Sequence, residues 1–174
     1  LVWTRTRQHN DPILAVNPSG RVPFLMLADG TGMEDTDLIV DYLDALAPPR
    51  KYDVPHGEGY WRFRRLEATA RSVLDGGSVW AREIKRPVAE QSSEIIDHEH
   101  RRAVRMCDYF ENEIQNEVFQ GELNKPQLLL FCALDLERRI PDFDWRAKCP
   151  RLCEWFRRLE VSKAAAASLP PTGV

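Results

Sequence analysis

The chain has 174 residues, enough for one or two small domains with a real core, and its 43% hydrophobic and 29% charged residues are those of an ordinary globular protein. A net charge of −3, with acidic and basic residues interspersed, offers no field for nucleic acid or an anionic lipid surface. The longest wholly apolar run, Leu128 to Leu134, is far too short to cross a bilayer.

Leu1 to Thr4 is apolar and β-prone and predicts a strand. Arg5 to Ala15 is polar, contains Asp11-Pro12, and reads as a loop with a short helix. Asn17-Pro18-Ser19-Gly20 is turn chemistry, and Val22 to Leu27 is an apolar run of strand length. Pro23 at the start of that run cannot donate to a sheet and fixes the loop that enters it. Asp29-Gly30 predicts a tight hairpin into a second short strand over Thr31 to Met33. Asp35 or Thr36 then caps a helix by accepting a free N–H of its first turn. Leu38, Ile39, Tyr42, Leu43 and Leu46 follow at helical spacing on one face of that helix. A short hairpin separates Pro23 from Asp35-Thr36, so the two can face one small ligand from two sides.

Residues 48–57 carry Pro48, Pro49, Pro55 and Gly57 and read as an extended linker between a domain over 1–47 and another over 58–174. Glu58 to Ile84 predicts a long helix whose apolar face includes Trp61, Leu66, Ala70, Val73, Leu74 and Val79. Gly76-Gly77 inside it costs roughly 1 kcal/mol per glycine relative to Ala. The pair points to a bend, to close approach of another backbone or a ligand, or to a tight helix crossing. Ser92-Ser93 caps the next helix, with Ile95, Ile96, Val104, Cys107, Phe110 and Ile114 expected inside. Asn124 and Gln127, with Pro126 between them, form a capping-box pattern ahead of a run apolar on every side, expected to be the core helix. Pro150 opens a helix bearing Leu152, Trp155, Phe156 and Leu159, and Ala164 to Ala167 extends or restarts it until Pro170-Pro171.

Cys107, Cys132, Cys149 and Cys153 lack the spacing of a zinc or redox site and read as ordinary thiols of a reducing cytoplasm. His98 and His100 are two apart, so on a helix they diverge, and no metal site is expected there.

Asn17-Pro18-Ser19-Gly20-Arg21-Val22-Pro23, followed by Asp35-Thr36 opening a helix that runs through Ile39 into Tyr42-Leu43, resembles the glutathione-binding half of the glutathione transferases. Their pattern is Asn-Pro-x-Gly-Lys/Arg-Val-Pro, then an acidic residue and Ser/Thr at the start of a helix reading Ile-x-x-Tyr-Leu; Thr36 stands here where Ser is commoner. The segment from Asp135 through Trp145 to Trp155 is similar to the C-terminal region of bacterial-type members.

The resemblance implies an α/β thioredoxin-like domain, lacking its first strand and helix in this sequence, followed by an all-α helical bundle, the family's C-terminal domain. It also implies a longer natural N-terminus carrying the central strand and the thiol-activating residue, so the catalytic residue is unknown from these 174 positions. In the family the peptide before Pro23 is cis, and the N–H and carbonyl of Val22 pair with the cysteinyl part of glutathione. Asp35 meets the γ-glutamyl ammonium, Thr36 holds its carboxylate at the helix start, and Arg21 reaches the glycyl carboxylate. Read without the resemblance, Asp35 and Thr36 only cap a helix and Arg21 is a solvated turn residue. Gly76, Gly77, Val79 and Trp80 are candidate walls for a second substrate, with core packing as the other use of Val79 and Trp80. The function implied is a cytoplasmic transferase, a two-fold homodimer, that conjugates the thiolate of glutathione, its co-substrate, to a small hydrophobic electrophile. A relative that keeps the fold as a non-catalytic binding or interaction module is the alternative.

Overall fold

The computed structural model describes residues 2–4, 6 and 8–169. They divide into two compact units, Leu1–Asp53 and Val54–Val174.

The N-terminal unit is built from local signals. Asp11 caps a 3-10 turn over Pro12–Ala15, its Oδ1 accepting the Ile13 N–H at 3.1 Å. Strand β1 (Phe24–Met26) pairs antiparallel with β2 (Gly32–Glu34) in the register Phe24↔Glu34, Leu25↔Met33 and Met26↔Gly32. The turn between them closes through Leu27 N–H to Thr31 O (2.8 Å) and Gly30 N–H to Leu27 O (3.0 Å). Its Gly30 sits at φ +87°, which a residue with a Cβ rarely adopts. Helix α1 (Thr36–Ala45) follows at once.

One expectation for this unit fails. Val2 to Thr4 form no strand, because no described strand lies beside them to accept a ladder, and Leu1 lies outside the described residues. The apolar stripe of α1 is only partly covered. Ile39 is buried and Tyr42 partly so, while Leu38, Leu43 and Leu46 are exposed. The buried side chains of the unit include two polar ones instead, Asn17 and Asp44. Asp44 accepts the backbone N–H groups of Lys51 and Tyr52 at 2.9 to 3.1 Å, which fastens the chain beyond the cis Pro48–Pro49 bond to α1.

The C-terminal unit is all-helical. Its central rod is α2 (Tyr60–Glu83), packed against α3 (Ser93–Glu113) and α5 (Lys125–Leu134). A single turn, α4 (Glu117–Gln120), precedes α5, and α6 (Pro150–Glu160) packs on α3 before the short α7 (Lys163–Ala167). Leu66, Phe110, Leu130, Leu134 and Phe156 are almost wholly enclosed, and burying each such side chain contributes about 1.5–3 kcal/mol. Phe110, Phe119 and Trp155 form an edge-on aromatic series at 5.7 and 6.0 Å, and the Trp155 indole N–H donates to Phe119 O at 3.0 Å.

The structure departs from the sequence reading in some details and decides between its alternatives in others. Trp61 is 77% exposed and Val79 is exposed, because α3 and α5 cover a narrower stripe of α2 than the apolar spacing implied, and Ile95 on α3 is exposed as well. Helix α2 runs without a break through Gly76 and Gly77. A Cβ at Gly76 would meet the Glu99 carboxylate and the Arg102 guanidinium, and one at Gly77 would lie 2.6 Å from Leu136 Cδ1, so both glycines serve close packing. Gln127 does not complete a capping box: Asn124 accepts the Gln127 N–H at 3.1 Å, but the Gln127 amide donates outward to the carbonyls of Val118 (2.9 Å) and Glu122 (3.0 Å). Ser92 and Ser162 cap α3 and α7. Pro170-Pro171 lie outside the described residues.

Candidate functional site

The loop that enters β1 is shaped by one buried side chain. Asn17 Nδ2 donates to Arg21 O at 2.7 Å, while the Asn17 backbone N–H donates to Ile13 O and its carbonyl accepts from Gly20. Ser19 Oγ donates to Asn17 Oδ1 at 2.9 Å and accepts the Arg21 N–H at 3.1 Å. Gly20 sits at φ +63°, the conformation that lets the chain reverse inside this ring. Arg21 therefore has both backbone polar groups tied down, and the next residue, Val22, leaves the loop 61% exposed, joined by a cis bond to Pro23.

The ladder stops at Phe24↔Glu34. Val22 and Thr36 each lie two residues beyond that last pair, on the two sides of the same hairpin end. Asp35 caps α1 with Oδ1 accepting the Asp37 N–H at 2.9 Å, and it does so at φ +81° and ψ 126°. That backbone conformation costs a non-glycine residue of order 1–3 kcal/mol and persists only where the surroundings over-determine it. Thr36 opens the helix, whose first-turn N–H groups carry the positive end of the backbone dipole. The hairpin end thus presents a backbone strand edge at Val22, a cation at Arg21, a carboxylate at Asp35 and a helix N-terminus at Thr36. Those groups suit a short peptide-like molecule that bears both an ammonium and a carboxylate.

Sequence reasoning overlooked Ser19 and Glu34 as part of this arrangement. The Glu34 carboxylate also lies at hydrogen-bond distance from the Ser19 hydroxyl and competes with Asn17 Oδ1 for its one proton, linking the loop to the end of β2. The turn signature of Asn17 to Gly20 was visible, but the partner fifteen residues on was not, because it depends on the hairpin register.

The other four predicted residues lie in the C-terminal unit. Trp80 is enclosed, its ring 5.3 Å from that of His100 and 5.9 Å from that of Phe143, and its indole N–H has no acceptor among the described residues. It floors an open depression of about 510 Å³ bordered by Ile96, Asp97, His100 and the 141–144 loop. Gly76, Gly77 and Val79 do not border that depression.

The cysteines are all free thiols, and three of them are raised above the ordinary thiol range, Cys132 by burial with Asp135 nearby. Burial, then the neighbouring Cys149 and Asp108, lifts Cys107 well above the ordinary thiol range. Burial, with Glu111 and Asp108 nearby, pushes Cys149 up to about 11. Neither is a thiolate at neutral pH, so neither is poised as a nucleophile.

Residues 1–51 match the family model described as the glutathione S-transferase N-terminal domain. The chain is 27% identical over 161 residues to an uncharacterized GST-like protein of Escherichia coli K12, YibF, covering 89% of this chain and 78% of that one. Among solved structures it is similar to a glutathione transferase family member from Pseudomonas fluorescens Pf-5 with bound glutathione, at 25% identity and a TM-score of 0.81 over 92% of this chain and 78% of that one. A glutathione S-transferase from Methylobacillus flagellatus KT, solved with GSH bound, has the same fold, at 24% identity and a TM-score of 0.83 over 98% and 86% of the two chains. The architecture is accordingly a thioredoxin-like domain followed by an all-helical domain.

Proposed function

We propose that the chain is a member of the glutathione transferase family that binds glutathione at the hairpin end and conjugates the thiolate to a small hydrophobic electrophile. The observation that carries the reading is the common exit of Val22 and Thr36 from one end of the β1–β2 ladder, with Asp35 between ladder and helix. Glutathione is a tripeptide with one ammonium and two carboxylates, and each has a counterpart here. The Val22 N–H and carbonyl pair with the cysteinyl residue as one more rung beside the sheet. Thr36, through its hydroxyl and N–H, takes the γ-glutamyl carboxylate at the positive end of α1. Asp35 meets the γ-glutamyl ammonium through Oδ2, since Oδ1 serves the cap. Arg21 pairs with the glycyl carboxylate.

Conjugation then requires that the bound thiol lose its proton and that the sulfur attack the electrophile. The residues named above hold the tripeptide, and no described side chain is assigned the role of thiol activator. In the C-terminal unit, Trp80 is the residue assigned to the apolar part of an electrophile, whereas Gly76 and Gly77 are taken up by helix packing and Val79 lies off the depression that Trp80 floors. On the same reading the protein acts in the cytoplasm, as a two-fold homodimer, and a sedimentation mass of one chain would remove the dimer.

The test is calorimetric titration of the full chain with glutathione. Asp35→Ala and Thr36→Ala are each expected to weaken binding about tenfold or more, the loss of a hydrogen bond to a charged group. Variants that bind as tightly as the parent would remove this site. Turnover is read from the absorbance of a chlorodinitrobenzene conjugate. Binding without conjugation would leave a glutathione-binding module rather than an enzyme.

A further inference from the structure

The structure assigns Ser19 and Glu34 as positioning residues that set the spacing between the two halves of the hairpin-end site. This rests on the glutathione reading, in which Val22 on one side and Asp35-Thr36 on the other grip one molecule. From Ser19 the chain runs through Gly20, Arg21, Val22 and Pro23 to Phe24; Phe24 pairs across the ladder with Glu34; and the Glu34 carboxylate returns to the Ser19 hydroxyl. These links close a ring. Val22 and Pro23 are members of it, and Asp35 is the first residue beyond it.

Ser19 is suited to be the joint of that ring. Its hydroxyl has one proton and two lone pairs. Oγ accepts the Arg21 N–H, which fixes the residue just before Val22, and faces Asn17 Oδ1 and the Glu34 carboxylate as acceptors. Asn17 is buried and anchored to Ile13, so it secures the loop on one side only. The link to Glu34 is what ties the loop to the strand that leads into α1. Without it, Val22 keeps its own turn but loses its fixed distance to Thr36. A ligand that must touch both then pays for their alignment on binding, and small misplacements in such a site weaken it disproportionately. The link is solvent-exposed, so its loss changes global stability little.

The experiment is glutathione titration of the full chain and of Glu34→Ala, Glu34→Gln, Ser19→Ala and the Ser19→Ala/Glu34→Ala pair, with the thermal midpoint of each. Glu34→Ala and Ser19→Ala are expected to raise the Kd about three- to tenfold, and the pair no more than the larger single change, because both cut the same ring. Glu34→Gln keeps an acceptor for the hydroxyl and is expected to stay within about twofold of the parent. The midpoints are expected to stay together, which separates positioning from folding. Single variants that bind like the parent, or effects that simply multiply in the pair, would overturn the inference while the glutathione site stands. A parent chain that binds no glutathione overturns the site and this inference with it.

Discussion

The two units of this molecule are held together by different physics. The C-terminal unit encloses large apolar side chains from α2, α3, α5 and α6, residues far apart in sequence that meet only in the folded bundle. The N-terminal unit has one buried aliphatic side chain on α1, Ile39, and relies on polar anchors, with Asn17 shaping the loop and Asp44 catching the chain at Lys51 and Tyr52. Apolar burial is non-directional and large in sum, whereas hydrogen bonds are directional and modest in net effect. The helical unit is therefore where stability resides, and the hairpin unit is where geometry is specified. The proposed glutathione-binding residues lie in the second kind of region, which is also where a strained residue such as Asp35 can be held by a few exact contacts.

The sharpest way to break that contrast is a pair of truncations. Phe156 is fully enclosed, stacked at 4.7 Å on Phe131 and edge-on at 5.3 Å to Trp145. Phe156→Ala is expected to cost about 3–5 kcal/mol in urea unfolding, and Ile39→Ala clearly less. Equal losses would mean that the hairpin unit carries a core of comparable weight.

A smaller effect tests how the helical unit uses polar groups. The Glu111 carboxylate of α3 caps α6 from outside, accepting the N–H groups of Arg151 (3.1 Å) and Leu152 (2.8 Å) and pairing with the Arg151 guanidinium. Burial pushes this carboxyl up, but the two N–H donors and the guanidinium outweigh it, and the group is held below the ordinary carboxylate range. A depressed folded pKa stabilises the fold above the unfolded value and loses that contribution as pH falls through the folded one. Melting curves from pH 6 downward should show the parent losing an increment of about 1–3 kcal/mol that Glu111→Gln has already lost at neutral pH. The two curves should converge in acid; a constant gap at every pH would contradict this account.

The smallest expected change concerns Asp35. Asp35→Gly removes a side chain from φ +81° and relieves a backbone cost of about 1 kcal/mol or more, against a few tenths for the weaker cap. The thermal midpoint is expected to hold or rise slightly while glutathione binding falls. A lower midpoint with intact binding would show that the strained residue serves the fold and not the ligand.

Much of the local structure was legible in the residues themselves. Asp29-Gly30 announced the hairpin, Asp35, Ser92 and Asn124 announced helix starts, and Pro150 opened α6, because turn and cap chemistry acts over two to four residues. Periodicity was a poorer guide. Leu38, Leu43 and Leu46 had helical spacing and are exposed, and Trp61 belonged to an apolar stripe that its neighbours do not reach. Spacing states which side chains share a face, not whether another element covers it. At the site, the motif residues Arg21, Val22, Pro23, Asp35 and Thr36 could be named from sequence, but Glu34 could not be joined to Ser19.

What the sequence determined by itself was the set of local conformations: a tight loop around Asn17, a two-stranded hairpin, capped helices and an apolar segment fit for an interior. Each depends on contacts within a few residues, where the chain has little freedom to choose otherwise. The tertiary structure alone decided which apolar faces are covered, that Gly76 and Gly77 admit Glu99, Arg102 and Leu136 rather than bend a helix, and that the loop and the start of α1 are tied through Ser19 and Glu34. Those outcomes depend on register and on packing between residues distant in the chain, and no local preference contains that information.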